Sequence, residues 1–329
     1  MNVEILSAGF FCTVQDLGRY GYQRFGVPVS GAMDEFAFRS ANLLVGNPQT
    51  AAGLECGPGE LAFRASEGIL FAVCAPSGEL RVGGKQQPLW TAVWASTGQE
   101  VGYQAVTQGG TWSVIALAGG IDTPFVLGSR STYLRAGLGG LDGRALQGGE
   151  SLRLGASYGS EADLSGQYLP ANQQIAYSQE LKLGIIPGPQ IDRFDGRALE
   201  ELTAKSYTVK PDSDRMGYRL EGQAISPLNG ADIYSEGMRM GAVQAPANGM
   251  PMVMMADCPT TGGYTKIGYV SRVDLPLLAQ RRPGETVKFF IEDVESAQRR
   301  YREMYKDLGR KFVRPADDPD VVQWAGAIK

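Results

Sequence analysis

Four short stretches gather the side chains whose types and spacing suit chemistry. The first holds Gln15, Asp16 and Arg19. The second holds Ser30 and Asp34. The third is Ser213-Asp-Arg-Met-Gly-Tyr-Arg219, with Asp214, Arg215 and Arg219 beside a glycine. The fourth collects Glu236, Gln244, Asp257, Thr260, Thr261 and Tyr264, with Lys266 close behind. A carboxylate next to a hydroxyl and an arginine can serve as a general base or orient a water. The planar guanidinium suits a carboxylate or a phosphate. Each stretch also has a plainer reading. Asp16 and Arg19 pair to tie down a surface loop, Arg215 stitches a turn to an aspartate, and Lys266 is a solvated strand residue.

Histidine is absent, which removes the Ser-His-Asp triad, a histidine base and any histidine metal site from this sequence. Proton transfer falls to Asp, Glu, Lys, Tyr or Cys. The four cysteines, Cys12, Cys56, Cys74 and Cys258, form no CxxC pair and lack zinc-ligand spacing, so no metal set is expected. No basic segment precedes an apolar one at the start, and no apolar run approaches the ~18 residues of a membrane span. A cytoplasmic protein with reduced thiols is the expectation. The net charge of −4 argues against nucleic acid or an anionic membrane as partner.

The elements that must position these side chains read mainly as β. The 44 glycines and few helical runs point to short strands joined by tight turns. Met250-Pro-Met-Val-Met-Met-Ala-Asp257 reads as a buried strand that ends at a carboxylate and a Thr-Thr-Gly-Gly turn. Residues 3–6 form a first strand. Phe36, Ala37, Ser40, Ala41, Leu44 and Val45 recur at helical spacing after Asp34, and Gly46 ends the run. Strands follow from Leu54 to Leu154, with hairpin signals at Ser77-Gly, Gly83-Gly84 and Gly109-Gly110. The loop Gly137-Leu-Gly-Gly-Leu-Asp-Gly143 is a weak phosphate-binding signal. Residues 156–180 are polar and unpatterned and read as a linker. A second β block spans 181–310, with a short helix over 195–204. It closes in a helix after Asp293, with Val294, Ala297, Tyr301, Met304 and Leu308 on one stripe. Residues 311–329 read as a tail. Pro28-x-Ser30-x-x-Met33 recurs as Pro211-x-Ser213-x-x-Met216, which fits two related domains, 1–155 and 181–310.

Together these motifs resemble a known family. Thr13-Val-Gln-Asp-Leu-Gly-Arg19, Gly26-Val-Pro-Val-Ser-Gly-Ala-Met-Asp34, Ala41-Asn-Leu-Leu-Val-Gly-Asn47, Ala118-Gly-Gly-Ile-Asp122, Ser213 to Arg219 and Asp257 to Tyr264 are similar, in order and spacing, to the family of KipA, the C subunit of 5-oxoprolinase. That family is also described as biotin-dependent carboxyltransferase-like, or allophanate hydrolase subunit 2. The resemblance implies two tandem cyclophilin-like β-barrel domains with few helices and a C-terminal helix. It implies an enzyme component that works with two companions, the KipI-like B subunit of 5-oxoprolinase and its A subunit. Together they would open 5-oxo-L-proline to L-glutamate, using ATP with Mg²⁺ at the level of the complex. On that footing Asp16, Asp34, Glu236 and Asp257 are the expected catalytic residues. Gln15, Arg19, Ser30, Arg215, Arg219, Gln244, Thr260, Thr261 and Tyr264 are expected to bind substrate, in one shared cleft. Two alternatives stay open. One is a carboxyltransferase acting on urea or another amide with carboxybiotin from a separate carrier. The other is a non-catalytic regulator that binds a KipI-like kinase inhibitor. No Walker A motif and no Met-Lys biotin-attachment dipeptide occur, so no biotin is expected on this chain.

Overall fold

The computed structural model describes residues 1–9, 11–106, 109–159, 161–177 and 180–314. The chain is mainly β and divides into two compact units. Of the described residues, those in 1–18, 35–176 and 307–314 make the first, and those in 19–34 and 177–306 make the second.

In the first unit the strands form two sheets. The six-stranded sheet runs, in spatial order, Ser151–Arg153, Asn2–Ala8, Glu60–Ala65, Glu100–Gln104, Glu79–Val82 and Lys85–Gln87. The five-stranded sheet runs Cys12–Gln15, Gly53–Cys56, Ser113–Leu117, Ile69–Cys74 and Ala92–Ala95. Val3, Ile5, Phe63 and Val101 from the first sheet share one apolar core with Val14, Leu54, Phe71 and Ile115 from the second. Every residue of Ile69–Cys74 is buried. That strand reads as an unbroken apolar run because it lies between two neighbours, against the core and under the helix Glu35–Leu44. The helix matches the predicted spacing, and it stops where Gly46 takes φ +76.

Gly83 and Gly84, both at positive φ, close the tight hairpin between Glu79–Val82 and Lys85–Gln87, as expected. The other two hairpin signals do something different. The turns at Ser77-Gly and at Gly109-Gly110 carry the chain from one sheet to the other. Turn chemistry reports a reversal and does not say which strand comes next.

The second unit is a closed seven-stranded barrel. Around it stand Leu181–Pro187, Lys266–Val270, Ala242–Gln244, Met252–Met254, Gly217–Glu221, Ser206–Val209 and Thr286–Ile291, and the last pairs in parallel with the first. A separate two-stranded ribbon pairs Asp232–Gly237 with Thr261–Tyr264. The helix Val294–Tyr305 follows, capped by Asp293 Oδ1, which accepts from Ser296 N at 2.7 Å. Only Ala297 of the predicted stripe is buried within it, and Val294 is exposed.

The fold class is as expected, mainly β with a closed barrel and a C-terminal helix, and the described strands of the first unit lie in two sheets. Two boundaries differ from the sequence reading. Residues 19–34 belong with the second unit: Ser30 N donates to Ala256 O at 3.1 Å, and Gln280 Nε2 donates to Asp34. The segment expected as a 156–180 linker belongs, through Ala176, with the first unit. Gly166 N donates to Ala92 O and Leu169 N to Trp90 O, so backbone pairing overrides its polar composition. Of the expected 311–329 tail, Val313 pairs with Tyr168, and residues from 315 onward lie outside the described ones. The thiols also differ from expectation. Cys12 and Cys56 stand directly opposite one another on adjacent strands and are joined as a disulfide, while Cys74 and Cys258 are buried thiols outside that bond. A separation of 44 residues hid that register from the sequence.

Candidate functional site

The predicted residues are each held by contacts within their own unit. In the first unit, Asp16 is buried just past the end of Cys12–Gln15, and its carboxylate accepts from four donors. Oδ1 accepts from Gly18 N at 2.8 Å, Ser129 Oγ at 2.7 Å and Ser131 Oγ at 2.5 Å, and Oδ2 accepts from Arg130 N at 2.6 Å. Gln15 Nε2 donates to Thr13 Oγ1 and to Thr132 O. A carboxylate so occupied is the organiser of a loop crossing.

In the second unit, Asp34 is wholly buried, and its Oδ2 accepts from Tyr177 Oη at 2.7 Å and Gln280 Nε2 at 2.8 Å. Arg19 is buried too, with its N–H on Val29 O. Past the end of Met252–Met254, Asp257 meets Arg215 in a two-pronged pair: Nε to Oδ2 at 2.8 Å and Nη2 to Oδ1 at 3.1 Å. Arg215 Nη2 also donates to Gly31 O at 2.7 Å, so the pair holds the 30–31 segment against the barrel. Ser30 sits there at φ +56, a conformation that side chains other than glycine rarely adopt, with its Oγ buried and lacking a hydrogen-bond partner. The Arg–Asp stitch anticipated for Arg215 is present, and it reaches a segment far away in sequence.

The remaining residues lie on and under the ribbon. Glu236 pairs across to Gly262, and its carboxylate meets the Lys266 ammonium. Gln190 Nε2 donates to Glu236 Oε1 at 2.5 Å, and Gln190 Oε1 accepts from Lys266 N at 2.9 Å. The Lys266 contact holds the Glu236 carboxyl below the usual carboxylate range, opposed by burial and aided by Gln190. Gln244, buried beside Lys266 in the barrel register, reaches Tyr264 O at 3.4 Å. Thr260 O accepts from Met238 N, while Thr261 and Tyr264 are exposed on the ribbon. Arg219 turns outward into a half-exposed pair with Asp212 at 3.2 Å.

Two residues differ from the sequence reading, one in its burial and one in not being singled out. Lys266, expected in solvent, has a side chain that is 0% exposed. Gln190 lies in a turn with no motif around it. A lysine two residues past a Gly-Gly-Tyr turn, at the start of a barrel strand, was the one available signal. Among the described residues, no three His, Cys, Asp or Glu side chains gather as they would to hold a metal ion.

Comparison with known proteins gives consistent findings. The family model described as carboxyltransferase domain, subdomain A and B, matches residues 25–291. The chain is 36% identical to the 5-oxoprolinase C subunit of Escherichia coli, over 90% of this chain and 93% of that one. It is 32% identical to the 5-oxoprolinase C subunit of Haemophilus influenzae, over 94% of this chain and 98% of that one. The crystal structure of Kluyveromyces lactis urea carboxylase superposes with a TM-score of 0.87 at 27% identity. That match covers 94% of this chain and 29% of that much longer protein.

Proposed function

Because the chain belongs to the carboxyltransferase-domain family, subdomains A and B, we propose that it is the C subunit of an ATP-dependent 5-oxoprolinase. In this reading it acts in the cytoplasm with the A subunit of that enzyme, joined by its KipI-like B subunit, to convert 5-oxo-L-proline to L-glutamate. The observation that carries the reading is sequence likeness. Two relatives that bear the 5-oxoprolinase name are 36% and 32% identical to it over 93% and 98% of their own chains, whereas the urea carboxylase it superposes on is 27% identical.

The chemistry fits this chain's polar groups. A lactam carbonyl is a poor electrophile, and phosphoryl transfer from ATP to its oxygen makes hydrolysis accessible. Nucleotide and Mg²⁺ are proposed for the assembly, and no residue here is assigned to them. This chain would hold and orient the small anionic substrate at the barrel. The ribbon group of Glu236, Lys266, Gln190 and Gln244 offers opposite charges and an amide beside a half-exposed carboxylate. The Arg215–Asp257 pair would fix the neighbouring 30–31 backbone, and Asp34 with Tyr177 would supply a buried acid hydrogen-bonded to a hydroxyl.

The test is reconstitution with the two companion proteins. ATP hydrolysis is measured with and without 5-oxoproline, and each component is omitted in turn. Substrate-dependent hydrolysis should need all three, and full turnover without this chain would defeat the reading. The superposition on urea carboxylase favours a second reading, carboxyl transfer from carboxybiotin to an amide. Stimulation by a separate biotin carrier, with urea as acceptor, would identify it.

A further inference from the structure

Lys266 is the most unusual charge in the second unit. Its side chain is fully buried, yet among the described residues its ammonium has a single ion-pair partner, Glu236. The two touch as charges, and no acceptor is aligned for a hydrogen bond with Nζ. An ammonium carries three donors, and burying one so sparsely partnered is unfavourable unless something else uses the site.

The partner is the movable half. Glu236 stands on the ribbon outside the barrel, at a register irregularity between Asp232 and Glu236 that re-aims its side chain inward. Its side chain is 43% exposed, so it can swing into water with little loss of hydration. Lys266 and Gln190 are fixed, because Gln190 Oε1 holds the Lys266 backbone N–H while its Nε2 points at Glu236 Oε1. Two donors, an ammonium and an amide N–H, thus converge on one carboxylate oxygen at the barrel.

We propose that Lys266 Nζ and Gln190 Nε2 form a receptor for the carboxylate of a small substrate, and that Glu236 is a tethered stand-in which that carboxylate displaces. The identification of the occupant as 5-oxo-L-proline rests on the function proposed above; the receptor itself does not. On this view Glu236 is the counterion of Lys266 and keeps the receptor filled between turnovers. Gly262 lets the ribbon lie close: a Cβ there would come within 2.8 Å of Gln244 Nε2 and 2.3 Å of Met238 Cε.

The test uses the full chain carrying ¹⁵N-labelled lysine, with the Lys266 ammonium resonance assigned by its loss in Lys266→Met. Acetate, 5-oxo-L-proline and 2-pyrrolidinone, which lacks the carboxylate, are titrated in. The two carboxylates should shift the resonance saturably, and 2-pyrrolidinone should not. Glu236→Gln, a change on the exposed ribbon that keeps the fold, should tighten both carboxylates by roughly tenfold, since it removes the internal competitor. If neither carboxylate moves the resonance in the wild type or in Glu236→Gln, or if 2-pyrrolidinone moves it equally, the receptor is refuted. If acetate moves it and 5-oxoproline does not, the receptor stands and the 5-oxoproline reading falls.

Discussion

At the scale of single residues, position in a hydrogen-bond network decides what a polar side chain can do. Asp16 and Glu236 look alike in sequence, a carboxylate in a glycine-rich stretch. Asp16 is surrounded by donors from Gly18, Ser129, Ser131 and Arg130, while Glu236 rests half in water against one ammonium. Asp16→Ala should therefore act on stability, because it orphans several buried donors. A loss of roughly 2–4 kcal/mol is expected in denaturant unfolding. Arg215→Met is expected to cost roughly 3–5 kcal/mol, since it leaves Asp257 charged, buried and unmatched. Replacing both members of the pair by apolar residues should recover most of that loss, and a double-mutant cycle measures it. The Cys258 thiol, next to Asp257, is pushed up to about 12, by burial first and then by the neighbouring carboxylate. Iodoacetamide at pH 8 should leave it unmodified in the folded protein and alkylate it after unfolding, as read by peptide mass spectrometry.

At the scale of elements, what could be read from the sequence was local. The helix Glu35–Leu44 was visible because its apolar spacing and its terminal glycine act within one segment. The barrel strands Ala242–Gln244 and Met252–Met254 are only three residues each, too short for a period to register. The burial of Lys266 comes from strand register and from the ribbon above it, neither of which is encoded nearby. The polar residues of these contacts were legible as types, and their long-range partners were not. Contacts such as Arg215 to Gly31 span 184 residues.

The C-terminal helix shows how an element is fastened. Arg300 reaches back to two buried carboxylates, Asp274 and Glu292, with Nη1 at 2.8 Å from Glu292 Oε2. Ser271 Oγ also donates to Glu292, and Gly184 N donates to Asp274. A Cβ at Gly184 would stand 2.2 Å from Glu292 Oε2, so only glycine fits there. Burial raises the Asp274 carboxyl above its ordinary value, against the pull of Arg300. A raised acid favours the folded state below its unfolded pKa, and that contribution fades as pH climbs through the folded value. Arg300→Met should therefore destabilise by roughly 2–4 kcal/mol near pH 7, with allowance for the arginine's partial exposure. The deficit should shrink as pH is lowered toward 5, and thermal unfolding across pH checks both statements.

At the scale of the whole molecule, neither unit is one continuous stretch. The chain passes between them after Gly18, Asp34, Ala176 and Lys306. A fragment of residues 177–306 would lack the segment that supplies Gly31 O to Arg215 and Asp34 to Gln280. That fragment should unfold at lower denaturant than the same fragment linked to residues 19–34, by fluorescence or circular dichroism. Equal midpoints would mean the segment adds nothing to the barrel.

The pairing of Val313 with Tyr168 has a further consequence for how the protein is made. Synthesis runs from the amino end, and domains ordinarily fold in that order. Here the early-made sheets wait for a closing piece that leaves the ribosome only after every barrel strand has emerged. The unit begun first is thus completed last, and a nascent chain stalled before that piece should already hold a protease-resistant barrel beside sheets that are still open to cleavage.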